Sequence, residues 1–190
     1  LTSIYWVGFS FIVAGSGYLW ATPLIILIVP AYFAIYIALT FLLYFTLKSK
    51  STLQPIVFAA IWVFFELIRG HAVIPFDLTG FAWGLIGYSW SFSNYIMQII
   101  SVIGIYGLSF LTILAAGLPY LTLRNNKNYL AISCSISIIM GLVIFGYLRI
   151  PTESSLSDIT VKLIHPNITK HHGFKETNLI KNLEKHEDLS

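Results

Sequence analysis

The stretch Leu19–Leu47 constrains this chain more than any other. It carries no Asp, Glu, Lys or Arg, and it exceeds the roughly 20 apolar residues that a helix needs to cross a bilayer. Further apolar segments follow at about Pro55–Arg69, Tyr95–Leu123 and Tyr129–Leu148, and a shorter one precedes it at Ile4–Val13. Only 10% of the 190 residues are charged and 57% are hydrophobic, whereas a soluble domain carries about 25% charged residues. The fold class follows: mainly α, a polytopic membrane helix bundle. The few basic residues are scattered, mostly in loops, which suits topology control rather than nucleic acid as a partner. The single cysteine, Cys134, lies inside an apolar run, so neither a disulfide framework nor a zinc cluster is expected.

Punctuation residues divide these segments. Gly15-Ser16-Gly17 provides a turn after the first. Pro23 and Pro30 lie in the second, so regular helix is expected from about Pro30 onward, ending at Lys48-Ser49-Lys50. Residues 71–91 contain Pro75, Asp77 and a cluster of glycines and aromatics. They read as an arm lying in the interface, with Phe81, Trp83, Tyr88 and Trp90 at headgroup depth. In the fourth segment Gly104, Gly107 and Gly117 would allow close helix approach. Residues 1–148 are thus expected to form the bundle, with about five apolar segments and the arm 71–91.

The composition changes after this point. Of 19 charged residues, 12 lie at or beyond Arg149, as do four of the five histidines. Ile159–Ile164 alternates apolar and polar side chains and runs into Pro166-Asn167, which reads as one strand with a stop. From Lys175 onward, Leu179, Ile180 and Leu183 fall near helical spacing among charges, an amphipathic helix. One strand and one helix open a domain without completing it. The chain starts at Leu1 without Met and stops at Ser190 in mid-pattern, so it is expected to be a fragment. His165, His171 and His172 have no fourth ligand and no fixed scaffold, so a solvated loop is the reading rather than a metal site. No cofactor is expected.

Loop charges give an orientation. Lys48 and Lys50 sit in one short loop and Arg124 and Lys127 in another, with two segments between them. Both loops therefore fall on one side, the cytoplasm by the positive-inside rule. The arm 71–91 and everything after about 149 would then be extracytoplasmic.

Within Pro55–Arg69 one acid and one base, Glu66 and Arg69, stand three residues apart. On a helix that spacing puts them on one face, where they can meet. Alone at mid-bilayer depth each would cost about 2.5–3.5 kcal/mol on insertion scales. They read either as a structural ion pair that fixes helix packing or as a polar anchor at the mouth of a lipid or substrate site. If they pair, replacing Arg69 alone should harm assembly more than replacing both with apolar residues, since one partner would be left uncompensated.

Several ordered motifs resemble one family. Glu66-Leu67-Ile68-Arg69-Gly70 is followed by Thr79-Gly80-Phe81-Ala82-Trp83, by Gly87-Tyr88-Ser89, by Gly104-Ile105-Tyr106-Gly107-Leu108-Ser109-Phe110, and by a strand running into Pro166-Asn167-Ile168. Together they resemble the apolipoprotein N-acyltransferases of bacterial lipoprotein maturation. The chain departs from the family pattern in three places: Ala82 stands where it has Pro, Pro166-Asn167-Ile168-Thr169-Lys170 stands where it has a Gln- or Gly-Asn-Ile-Pro-Gln run, and Phe174 stands where a Trp usually follows. The resemblance implies a membrane bundle bearing a periplasmic nitrilase-like α/β domain, of which the tail would be the first strand and helix, truncated. It implies a Glu–Lys–Cys triad, a phospholipid acyl donor and a diacylglyceryl-cysteine apolipoprotein as acceptor. The cysteine thiolate attacks the acyl ester, and the lipoprotein amine then takes the acyl group from the thioester. No triad member is expected in this chain, and Cys134, inside a span, is not the nucleophile. The lipid-facing candidates are Glu66, Arg69, Phe81, Trp83, Tyr88, Tyr106 and Phe174; for each aromatic a plain interfacial belt residue is the competing reading. A different class, a permease subunit or membrane anchor without catalysis, stays open as the alternative.

Overall fold

The computed structural model describes residues 8–9, 16–47, 52–71, 83–124, 129–151, 162–165 and 176–188. Val29–Thr152 forms one compact unit, and Leu1–Ile28 with Glu153–Ser190 forms another.

Helix α1 (Thr22–Thr46) follows a 3-10 segment at Ser16–Ala21. The expected start near Pro30 is corrected: regular helix begins at Thr22 and continues through Pro30. Pro23 occupies the first turn, where a missing N–H removes no helical bond. Pro30 lies inside a long apolar helix, the setting in which membrane helices tolerate proline. Helix α2 (Gln54–His71) matches the segment expected from sequence. The fourth segment is not one helix. It forms α3 (Asn94–Met97), α4 (Ile100–Gly117) and α5 (Tyr120–Arg124), with a break inside α4 at Gly104, whose φ of 68° and ψ of 175° are not helical. Only glycine adopts that conformation readily, so Gly104 bends the segment instead of thinning it. Helix α6 (Tyr129–Arg149) is the fifth segment, nearly as expected.

Among the described residues three helical stretches are long and apolar enough to cross a membrane: Leu19–Thr46, Ile100–Thr122 and Tyr129–Arg149. Helix α2, with 18 residues and two charges, is not among them, and most of the first expected segment lies outside the described residues. The protein is a helical membrane protein. Its exposed surface says the same: Leu27, Leu42, Ile136 and Ile144 all point outward, as lipid-facing residues do where the solvent is itself apolar.

Consecutive long helices pack antiparallel. In α1 and α2, Phe41 and Tyr44 rest on Phe58 at ring separations of 5.6 and 5.1 Å, while Phe33 lies under Arg69 at the other end. In α2 and α4, Pro55 meets Gly117 and His71 meets Tyr106. A Cβ on Gly117 would stand 3.4 Å from Pro55 Cβ, so here the expected close approach is real. On Gly107 it would instead strike Ile103 of the same helix. Helix α6 crosses α4 with Ser135 Oγ donating to the Ala115 carbonyl at 2.6 Å. At its far end Gly146 packs directly on the Tyr95 backbone, where any side chain would collide with the carbonyl. The core is small: Ile96, Leu108 and Leu142, surrounded by Trp90, Ile105 and Ile138. Cys134 lies exposed on α6 rather than buried.

The second unit contains helix α7 (Glu176–Glu187), where the amphipathic helix was expected. The expected strand 159–164 is not formed over its described part: Lys162–His165 carries no ladder, and Leu163 is exposed. A strand exists by pairing, and no strand partner is present among the described residues. The rest of that segment lies outside them.

Candidate functional site

The two charged side chains of α2, Glu66 and Arg69, lie in its last turns. Helix α2 presents Trp62, Glu66 and Arg69 at spacings that share one face. Glu66 is buried, at 6% exposure, and a buried carboxylate needs donors. It has two on one oxygen: Oε1 accepts from Trp62 Nε1 at 3.0 Å and from the Ile86 backbone N–H at 2.8 Å. The other oxygen, Oε2, is buried without a hydrogen-bond partner.

Arg69 donates from Nη1 to the Trp83 carbonyl at 2.8 Å and from Nη2 to the Gly84 carbonyl at 3.4 Å. Its guanidinium also lies 5.1 Å from the centre of the Phe33 ring, a cation–π contact. The expected Glu66–Arg69 ion pair is therefore corrected. The two side chains share a face and attract through space, but their hydrogen bonds go elsewhere. The acid takes a backbone amide and the base takes backbone carbonyls of the same turn, Trp83–Ile86. The physical reason is geometric. Backbone N–H and C=O groups arriving from residues 83–86 meet Glu66 Oε1 and the Arg69 guanidinium directly, and such groups must themselves be paired when buried.

The turn is held on its other side by α4. Ser109, fully buried, accepts the Gly87 N–H on Oγ at 3.0 Å. Trp90 Nε1 donates to Thr112 Oγ1 at 2.8 Å, and Thr112 Oγ1 in turn donates to the Leu108 carbonyl at 2.7 Å. A 3-10 helix, Ile86–Trp90, links these anchors. Gly84, at φ 68°, turns the chain between the two carbonyls and the amide. Trp90 is thus half-buried packing, while Trp83 and Tyr88 remain exposed, at 63% and 43%. Tyr106 lies beside His71, with ring centroids 5.6 Å apart and its hydroxyl 3.4 Å from Nδ1. His71 Nδ1 also lies 3.2 Å from the Leu67 carbonyl. Tyr32 and Tyr36 share a 2.7 Å hydroxyl contact on α1.

The structure accordingly brings Glu66, Arg69 and Trp83 into one assembly, with Tyr88 and Tyr106 at its edge. Phe81 and Phe174 lie outside the described residues. Sequence reasoning missed Trp62, Ser109, Thr112 and His71. Trp62 and Ser109 had signals: a donor four residues before a buried acid on one helix, and a hydroxyl inside an apolar run. Among the described residues no cluster of His, Cys, Asp or Glu could hold a metal ion.

Comparison with known proteins adds a family. The model described as the apolipoprotein N-acyltransferase N-terminal domain matches residues 1–118. The chain is 33% identical over 193 residues to the apolipoprotein N-acyltransferase of Rickettsia typhi, covering 100% of this chain and 38% of that protein. To the protein of the same name from Rhodopseudomonas palustris it is 28% identical over 194 residues, covering 98% and 35%. The chain therefore spans little more than a third of the length of these relatives. No solved structure matches it.

Proposed function

The chain belongs to the apolipoprotein N-acyltransferase family, and from that premise we propose that it is the membrane part of an enzyme moving an acyl chain from a phospholipid to the N-terminal diacylglyceryl-cysteine of lipoproteins. In this reading the reaction has two halves. A thiolate displaces the lysophospholipid alkoxide and becomes a thioester. The lipoprotein amine then attacks that thioester, forms the amide and returns the thiolate. The reading assigns the Glu–Lys–Cys triad to no residue of this chain, because Cys134 sits within α6. The residues here hold substrate instead. Residues after about 149 belong, in the same reading, to a periplasmic nitrilase-like domain, and the bundle sits in the bacterial inner membrane.

One observation carries the assignment of the site: Glu66 and Arg69 fix the turn Trp83–Ile86 from opposite polarities. A fixed turn at a bundle end presents the exposed rings of Trp83 and Tyr88 in one orientation, where acylated substrates would approach. Tyr106 joins them in this reading, with Phe81 and Phe174 as further lipid-facing candidates on sequence grounds alone. A permease subunit or anchor is the weaker reading, since the family match covers residues 1–118. The test is complementation. The full gene carrying this segment is expressed in a bacterium depleted of its own lipoprotein N-acyltransferase, and lipoprotein N-terminal peptides are weighed by mass spectrometry. Triacylated peptides are expected; peptides that stay diacylated with the protein stably expressed would end this reading.

A further inference from the structure

Glu66 uses only one of its carboxylate oxygens. Oε1 takes both donors, Trp62 Nε1 and the Ile86 N–H. Oε2 is enclosed by protein, with essentially no surface open to water, and accepts no hydrogen bond. A buried charged acceptor left in that state costs free energy that a donor would relieve. Arg69 is the donor placed to do so. It stands three residues further along the same face of α2, where Cβ atoms lie about 5–6 Å apart, and it attracts Glu66 through space. A change of rotamer carries its long side chain to Oε2. Its present hold is uneven: Nη1 donates to the Trp83 carbonyl at 2.8 Å, but Nη2 reaches the Gly84 carbonyl only at 3.4 Å.

The backbone that Arg69 holds is placed to move. Trp83 and Gly84 are both exposed, so their carbonyls can turn to water when the guanidinium leaves. Gly84 has a φ of 68°, and, its chain neighbours aside, no atom lies within 4 Å of where a Cβ would stand. The chain can pivot there. Immediately beyond, it is fixed. Leu85 is buried at 2% exposure, the Ile86 N–H is held by Glu66 Oε1, and the Gly87 N–H is held by Ser109. A pivot at Gly84 therefore moves Trp83 and leaves the Ile86–Trp90 helix in place.

We propose that Arg69 has two berths, the Trp83 and Gly84 carbonyls in one state and Glu66 Oε2 in a second, minor state, and that its exchange between them swings Trp83 at the end of the bundle. In the second state Oε1 keeps Trp62 and Ile86 while Oε2 takes the guanidinium. Arg69 then gives up its contact with the Phe33 ring, 5.1 Å away in the first state, which favours the first. Within the acyl-transfer reading the swing moves a ring on which an acyl chain would rest. That consequence rests on that reading; the exchange itself does not.

The experiment uses the full protein, labelled with fluorotryptophan and held in phospholipid nanodiscs, and follows it by fluorine saturation-transfer NMR. The Trp83 resonance is assigned by its absence in Trp83→Phe. A second Trp83 environment, populated at about 0.1–10%, is expected in exchange with the main one. Glu66→Gln keeps the acceptor for Trp62 and Ile86 but puts an amide nitrogen where Oε2 stands, so the minor population should fall about tenfold or more. Arg69→Gln should bring the main Trp83 resonance to the position of the minor one. Tyr106, which also interacts through space with Glu66, is the control: Tyr106→Phe should leave the exchange in place. A single Trp83 environment in the unaltered protein would overturn the proposal without reliance on any variant. So would a minor state that survives Glu66→Gln, one that Arg69→Gln does not reproduce, or one lost in Tyr106→Phe, which would make the phenol the donor. None of these readouts requires acyl transfer, so their failure and the failure of the acyl-transfer reading are separate results.

Discussion

The Glu66 carboxylate accepts the backbone amide of Ile86 at 2.8 Å, across 20 residues of sequence. That bond joins the C-terminal half of α2 to the start of the Ile86–Trp90 helix, and Arg69 repeats the connection one turn later through the carbonyls of Trp83 and Gly84. Two opposite charges on one helix face thus act as a clip on a single turn of backbone.

Glu66→Gln keeps a carbonyl-type acceptor for both Ile86 N–H and Trp62 Nε1 and is expected to change stability by less than about 1 kcal/mol. Glu66→Leu leaves the Ile86 N–H without its acceptor and is expected to cost about 1–3 kcal/mol. Thermal unfolding in detergent measures the difference. Limited proteolysis should show faster cleavage within residues 83–90 for Glu66→Leu alone; equal cleavage of both variants would argue against the clip.

Because Arg69 and Glu66 hold separate backbone groups, removing both should be worse than removing either. Arg69→Leu combined with Glu66→Leu is expected to lower the unfolding midpoint further than Arg69→Leu by itself. A direct ion pair predicts the reverse, since the double change would leave no stranded charge. A double variant as stable as the unaltered protein would restore the ion-pair account. Arg69→Lys offers a point charge in place of a fork and should retain only part of the effect.

Gly104→Ala places a Cβ on a residue at φ 68° and ψ 175°, a conformation essentially confined to glycine. The expected loss is about 1–3 kcal/mol, although, its own stretch of helix backbone aside, no atom lies within 4 Å of where that Cβ would sit. The loss is conformational rather than steric. Gly141→Ala is a control: its site is equally open and α6 is regular there. Guanidinium-free thermal scans of the two variants should separate; coincident midpoints would mean that α4 straightens at no cost.

Ser109→Ala removes the acceptor for the Gly87 N–H. Interhelical side-chain hydrogen bonds in membrane proteins measure about 0.6 kcal/mol on average and up to about 1.7. A loss in that range is expected, with faster hydrogen exchange at the Gly87 amide. Unchanged exchange there would show that another acceptor holds it.

Much of the helix content was legible in the sequence, and the reasons are local. Long apolar runs can satisfy their own backbone in lipid only as helices, so α6 stands nearly where the residues put it. Pro30 misled, because a proline in an apolar membrane helix is tolerated where it would end a helix in water. Gly104 was visible as glycine, but whether it thins a helix or bends one depends on a backbone angle that composition does not carry.

Sequence alone determined that this protein is a membrane helix bundle and, through the order of its motifs, which family it joins; both follow from properties that each segment holds by itself. Tertiary structure decided what Glu66 and Arg69 do. Their spacing allowed them to meet, but their partners are main-chain atoms of residues 83–86, and main-chain atoms look alike in every sequence. Only the antiparallel packing of α2 against α4, which brings that turn over the end of α2, gives each charge a nearer partner than the other.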